Sequence, residues 1–252
     1  MKTNNNNAKK LSIYYTAGYP DLESTLPIAK SLEQAGVDFL EIGIPYSDPV
    51  ADGPVIQQSS LQSLKNGMSI KVLLEQLSAF KSEVHIPYYL MGYFNPILQF
   101  GVQKFCKKCQ EVGVKGLIIP DLPIEVYKKE YQDIFKQYGI SMVFLITPQT
   151  SPERIRQIDE LSTSFIYLLS SNATTGKNLA IDENTSAYFK RIQAMQLKAP
   201  LVVGFGIHNK ESFEKSVLYT DGAIIGTAFI KALNAGVSPE DFINTIREKG
   251  GN

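Results

Sequence analysis

Apolar runs of strand length alternate with amphipathic stretches of helix length from one end of the chain to the other, the pattern of βα units around a parallel sheet. Eight runs read as strands: Leu11 to Thr16, Val37 to Ile44, Ile86 to Gly92, Val114 to Ile119, Ser141 to Ile146, Phe165 to Ser170, Leu201 to Gly206 and Gly222 to Gly226. Between the first two, Asp21 to Ala35 repeats Leu22, Leu26, Ala29 and Leu32 at helical spacing and stops at Gly36, a favoured residue just past a helix end. Val126 to Tyr138 ends at Gly139, Pro152 opens a helix running through Leu161, and Ser238-Pro239 opens the last one. Eight such units predict a (β/α)8 TIM barrel, with its active site at the carboxyl ends of the strands. A doubly wound open sheet has the same periodicity and stands as the competing fold.

Composition narrows the picture. The 252 residues carry 25 Lys+Arg against 25 Asp+Glu and are 44% hydrophobic, which fits one α/β domain over residues 1–252 with a substantial core. Residues 1–10 form a polar, Asn-rich tract, expected to be flexible and lacking the apolar core of a signal peptide, and no stretch is long or apolar enough for a membrane helix. A cytoplasmic protein is expected. Basic residues are interspersed with acids, so no nucleic acid partner is expected. Cys106 and Cys109 lie three apart in a helical pattern, with only His85 and His208 as imidazoles; reduced helix residues are expected there, and no metal site.

The segment Phe39 to Pro54 carries the densest chemistry. Glu41 shares parity with Val37 and Phe39, so the three should face one way while Leu40 and Ile42 face the other, which aims a carboxylate into an interior. Desolvation raises the proton affinity of such a group toward neutrality, as proton transfer requires, although a buried ion pair has the same signature. A breaker-rich loop then adds Asp48 and Asp52. Further along, Gly204-Phe205-Gly206, Gly226-Thr227 and the run Ser170 to Gly176 follow strands seven, eight and six. Together they suggest a phosphate held by backbone amides and a helix N-terminus at Gly176, Gly206, Gly226 and Thr227; singly, each reads better as a tight strand-to-helix turn.

With these motifs in hand, the chain resembles the α subunit family of tryptophan synthase along essentially its whole length. The resemblance is carried by Leu40 through Gln57, almost position by position, and by Tyr93-Phe94-Asn95-Pro96, Pro120-Asp121-Leu122-Pro123 and Gly204-Phe205-Gly206. It implies a barrel that cleaves indole-3-glycerol phosphate to indole and glyceraldehyde 3-phosphate with no metal or cofactor in this chain. It further implies Glu41 as acid and base, Asp52 as the carboxylate beside the indole N–H, Tyr14, Ile56, Met91 and Tyr93 as walls around the ring and Tyr167 near the reacting end, although each of these wall residues could equally be ordinary barrel core. Thr175 is expected to reach Asp52 when the strand-six loop closes. Asp52 could otherwise cap the helix that starts near Pro54, and Asp48 is expected to be loop scaffolding. Ser171 and Ala173 stand where the family pattern has Arg and Gly, and Thr227 stands for a usual Ser.

The implied partner is a pyridoxal-phosphate-bearing β subunit in an αββα heterotetramer, facing Tyr46 to Pro54, Asn95-Pro96 and Pro123. A free-standing indole-3-glycerol-phosphate lyase, a non-catalytic activator of the β subunit and another phosphate-binding barrel are the alternatives. The poor set of metal ligands weighs against a metal-dependent epimerase.

Overall fold

The computed structural model describes residues 9–169, 183–204 and 206–247. Eight parallel strands close into a barrel in chain order: β1 (Lys10–Thr16), β2 (Phe39–Gly43), β3 (Tyr88–Met91), β4 (Gly116–Ile118), β5 (Ser141–Ile146), β6 (Ile166–Leu169), β7 (Leu201–Gly204) and β8 (Gly222–Ile225). Closure is made by β1 against β8, with Lys10 opposite Gly222 and Ile13 opposite Ile225. The barrel reading is correct and the open sheet is excluded.

Apolar residues divide between two shells. Leu11, Ile13, Leu40, Ile42, Leu90, Leu117 and their counterparts face outward and pack under the helices, while Tyr14, Phe39, Ile56, Met91, Ile118, Val143, Phe165, Tyr167, Val202 and Ile224 fill the lumen. This is the layered packing by which such barrels become cores and not pores. The alternation along β2 follows the expected parity, with Phe39 inward and Leu40 and Ile42 outward. Val37 departs from it. That residue precedes the first strand residue, Phe39, so the pleat does not govern it, and it joins the outer shell.

Most strands are shorter than their apolar runs, because residues such as Ile86, Val114 and Ile119 lie beyond the paired ladder. The first helix is a 3-10 turn at Leu22–Ser24 followed by an α-helix at Thr25–Gln34, and Gly36 follows at φ +86°, as expected past its end. The stretch expected as one helix to Tyr138 is Ile124–Val126, a π-helical segment Tyr127–Tyr131 and Gln132–Gln137. Pro152–Leu161 and Pro239–Ile246 begin as expected, capped by the Ser151 and Ser238 hydroxyls accepting from Arg154 and Asp241 amides. Cys106 and Cys109 are free, buried residues of the helix Val102–Val112. Among the described residues no helix is long and apolar enough to cross a membrane, and no His, Cys, Asp and Glu residues group as a metal site.

Candidate active site

Glu41 is the middle residue of β2 and points into the lumen, 1% exposed, with neither carboxylate oxygen hydrogen-bonded. Its register partners are Tyr14 on β1 and Tyr89 on β3. Among the described residues no cation forms an ion pair with it. Burial, followed by repulsion from Asp52, pushes its carboxyl up to about 8. A carboxylic acid in that range is present in both protonation states near neutrality, which is what a group that gives and takes a proton needs.

Asp52 comes from the loop after β2. Its Oδ2 accepts the Tyr93 hydroxyl at 3.0 Å, and that hydroxyl in turn accepts the Ala51 amide at 3.0 Å. The Asp52 carbonyl accepts the Gln57 side-chain amide at 2.8 Å. The helix Pro54–Lys65 is capped by Gly53, with Pro54 in its first turn, so Asp52 is not its cap. The carboxylate is thereby left for the site. Burial raises its proton affinity and Tyr93 lowers it, so the tyrosine donor is what opposes protonation of this acid. Asp48 accepts the Ser47 hydroxyl at 2.5 Å in an exposed turn, consistent with scaffolding.

The expected ring walls converge. Tyr14, Ile56, Met91 and Tyr167 all belong to the lumen cluster, and Tyr93 is 5% exposed beside Asp52 with Tyr46 tilted against it at 5.3 Å between ring centroids. Asp121, after β4, accepts the Phe94 amide and so fastens the start of the helix Phe94–Phe100 that follows Tyr93.

Two close approaches went unread in the sequence. A Cβ on Gly43 would lie 2.2 Å from the Tyr14 hydroxyl, and one on Gly204 would lie 2.1 Å from the Tyr167 hydroxyl. Each glycine therefore leaves room for a tyrosine from the neighbouring strand to lean across toward the carboxyl end of the barrel. Also unread were Thr16 and Ser59, both buried, whose hydroxyls are 2.7 Å apart. The residues are 43 apart in sequence, and no local pattern joins them.

At the other side of the opening, Gly206 follows β7 and Gly226 follows β8; the register of Gly204 with Ile224 makes the two turns neighbours. Gly226 caps the helix Thr227–Asn234, whose first residue is Thr227, so free backbone amides point out of that end. A Cβ on Gly226 would stand 3.2 Å from the Tyr14 ring, so Tyr14 packs against both the acid side and this glycine turn. Thr175 and Gly176, with Ser171 and Ala173, lie outside the described residues.

Comparisons with known proteins agree with this geometry. The family model described as tryptophan synthase alpha chain matches residues 1–249. The tryptophan synthase alpha chain of Christiangramia forsetii is 58% identical over 226 residues, covering 90% of this chain and 88% of that one. A crystal structure of tryptophan synthase subunit alpha from Legionella pneumophila superposes with a TM-score of 0.83 at 33% identity, covering 94% of this chain and 89% of that one. A structure of Mycobacterium tuberculosis tryptophan synthase does so with a TM-score of 0.84 at 28% identity, over 96% and 94%. A family match over nearly the full length, joined to a closed eight-stranded barrel with an unpaired acid in its lumen, places this chain in the tryptophan synthase alpha chain family.

Proposed function

We propose that Glu41 and Asp52 carry the carbon–carbon lyase reaction of this family, the cleavage of indole-3-glycerol phosphate to indole and glyceraldehyde 3-phosphate in tryptophan biosynthesis. The observation that carries the residue assignment is Glu41 itself, an acid sealed in an apolar lumen with both oxygens unbonded. Structural acids are satisfied; this one is held ready.

The protonated carboxyl of Glu41 gives its proton to the ring carbon that bears the glycerol chain, which turns the ring into an electron sink with positive charge toward its nitrogen. The same carboxylate then takes the proton of the adjacent side-chain hydroxyl. As the carbonyl forms, the carbon–carbon bond breaks and its electron pair returns to the ring, releasing indole and the aldehyde with Glu41 protonated again. Asp52 accepts from the ring N–H and stabilises the charge most where it is greatest, in the transition state. Tyr14, Ile56, Met91 and Tyr93 enclose the ring with Tyr167 near the reacting end, Gly206, Gly226 and Thr227 hold the phosphate together with Gly176, and Thr175 is assigned to Asp52 on closure.

The chain works with a tryptophan synthase β subunit, to which pyridoxal phosphate belongs. We further propose an αββα arrangement, a cytoplasmic location, and contact with the partner through the loop 46–54, where Val50 is 77% exposed, together with Asn95-Pro96 and Pro123.

The test is an indole-release assay of wild type and Glu41→Gln, each with and without the β subunit. Loss of about 10²–10⁴-fold in cleavage by Glu41→Gln is expected. Retention of wild-type cleavage would remove Glu41 from the chemistry.

A further inference from the structure

The buried hydroxyls beside Glu41 form a chain whose direction can be worked out. The Ser59 hydroxyl donates to the Ile56 carbonyl at 2.8 Å, so its single proton is committed. Thr16, 2.7 Å from Ser59, must therefore donate to it. Having spent its own proton, Thr16 offers only a lone pair to the Tyr14 hydroxyl 3.5 Å away, so Tyr14 donates to Thr16. The order is Tyr14 to Thr16 to Ser59 to the backbone. The Tyr14 oxygen is left as an acceptor, and burial keeps that phenol neutral throughout the working pH range.

Placement makes this acceptor relevant. Tyr14 and Glu41 are register partners on adjacent strands and both face the lumen. The Tyr14 hydroxyl leans over Gly43, two residues beyond Glu41 on the same face of β2 and so nearer the carboxyl end. The Tyr14 oxygen therefore stands between Glu41 and the carboxyl end of β2, where Gly43 has no side chain to separate them. The other titratable groups facing Glu41 are Asp52 from the loop after β2, Tyr89 from β3 and Tyr167 from β6; Tyr93 is committed to Asp52.

We propose that Tyr14 is a positioning residue that docks the protonated form of Glu41, its oxygen accepting from the carboxylic O–H as the side chain turns toward the ring carbon. The Thr16–Ser59 relay enforces the polarity: with the tyrosine proton directed away, the acid form of Glu41 is welcomed and the carboxylate is not. The inference rests on Glu41 being the proton-transfer group, and goes beyond the role of Tyr14 as an aromatic wall.

The experiment titrates the Glu41 carboxyl in the full chain by carbon-13 NMR of labelled glutamate, the signal being assigned by its loss in Glu41→Gln. Tyr14→Phe deletes the acceptor, and Thr16→Val deletes the relay's first acceptor and frees the Tyr14 proton to donate to the carboxylate. Both changes are close in shape to the original side chains. Each should lower the Glu41 midpoint by roughly 0.5–1 pH unit, the equivalent of one neutral hydrogen bond. The high-pH limb of kcat/KM should move down with it. An unchanged or raised midpoint in Tyr14→Phe overturns the proposal, because loss of a polar neighbour by itself makes ionisation harder and moves the midpoint up. Failure of the catalytic assignment is read separately, as full cleavage by Glu41→Gln.

Discussion

At the residue scale, burial raises the proton affinity of both acids, and Asp52 alone has a hydroxyl donor that opposes the rise. Glu41 is held in its neutral form by burial, so folding takes up a proton between the ordinary carboxylate value and about 8. The unfolded chain has released that proton in the same window, and native stability therefore falls as pH rises from about 4.5 to about 8, at up to about 1.4 kcal/mol per pH unit. Glu41→Gln removes the linkage. Its melting temperature relative to wild type should climb between pH 5 and pH 8, measured by calorimetry, and a constant difference would show that Glu41 ionises freely in the native state. In the proposed reaction Asp52 works as a carboxylate; burial raises its proton affinity, and the Tyr93 hydroxyl at 3.0 Å opposes that rise. Tyr93→Phe should lower kcat by about tenfold or more, the worth of a hydrogen bond to a charged group. The low-pH limb of the kcat profile should move upward in the same variant.

At the element scale, β2 presents three inward positions that differ in kind: Phe39 fills the lumen, Glu41 carries the unpaired carboxyl and Gly43 stays empty for Tyr14. Gly43→Ala places a methyl group where the tyrosine hydroxyl and ring stand, with contacts as short as 2.2 Å. Overpacking of this kind costs about 1–3 kcal/mol and displaces Tyr14 from the acid. In a Tyr14→Ala background the same change should cost much less, and a double-mutant cycle in urea measures the difference. Additive costs would mean that the methyl group finds room elsewhere.

The same strand marks how far the sequence could be read. Glu41's inward aim was legible because the pleat has a period of two, and the eight strands were legible because each apolar run is bounded by breakers. Val37 misled because an apolar residue just before a strand carries the same periodic signal without the pairing. Gly43 reads in sequence as an ordinary strand glycine, since its purpose lies in a side chain 29 positions away. Asp52 was ambiguous for a local reason: Asp-Gly-Pro is a capping signature, and only the fold assigns the cap to Gly53 and the carboxylate to Tyr93.

At the scale of the whole molecule, acids that satisfy backbone amides gather at the amino ends of the strands, with Asp121 doing the same for Phe94 at the other end. At the amino ends of the strands, carboxylates satisfy backbone amides: Asp38 accepts from Leu11, Asp159 from Lys198 and Ala199, Asp221 from Leu201, and Glu33 from His85 and Ile86. Glu41, in the lumen, has no such partner. This is the division expected of such a barrel, with stability at one end and chemistry toward the other.

A clasp at the stable end lies at the seam between β1 and β2. Asp38 is bonded at once by the Leu11 amide at 2.8 Å, by Lys10 at 3.0 Å and by Arg247 at 3.0 Å. The Arg247 guanidinium also donates to the Lys9 carbonyl and lies 5.4 Å from the Phe213 ring centre. One side chain near the end of the described chain thus ties the first strand, the turn before β2 and the helix Lys210–Val217 together. Arg247→Ala should destabilise the barrel by about 1–3 kcal/mol, because it removes bonds to a half-buried carboxylate and to backbone acceptors while the other partners remain. For a chain of this size that corresponds to a fall of about 2–4 °C in melting temperature per kcal/mol. Its KM for indole-3-glycerol phosphate should stay at the wild-type value below the transition, since no group at the seam reaches Glu41 or Asp52. A raised KM in a fully folded Arg247→Ala chain would mean that the two ends of the barrel are coupled.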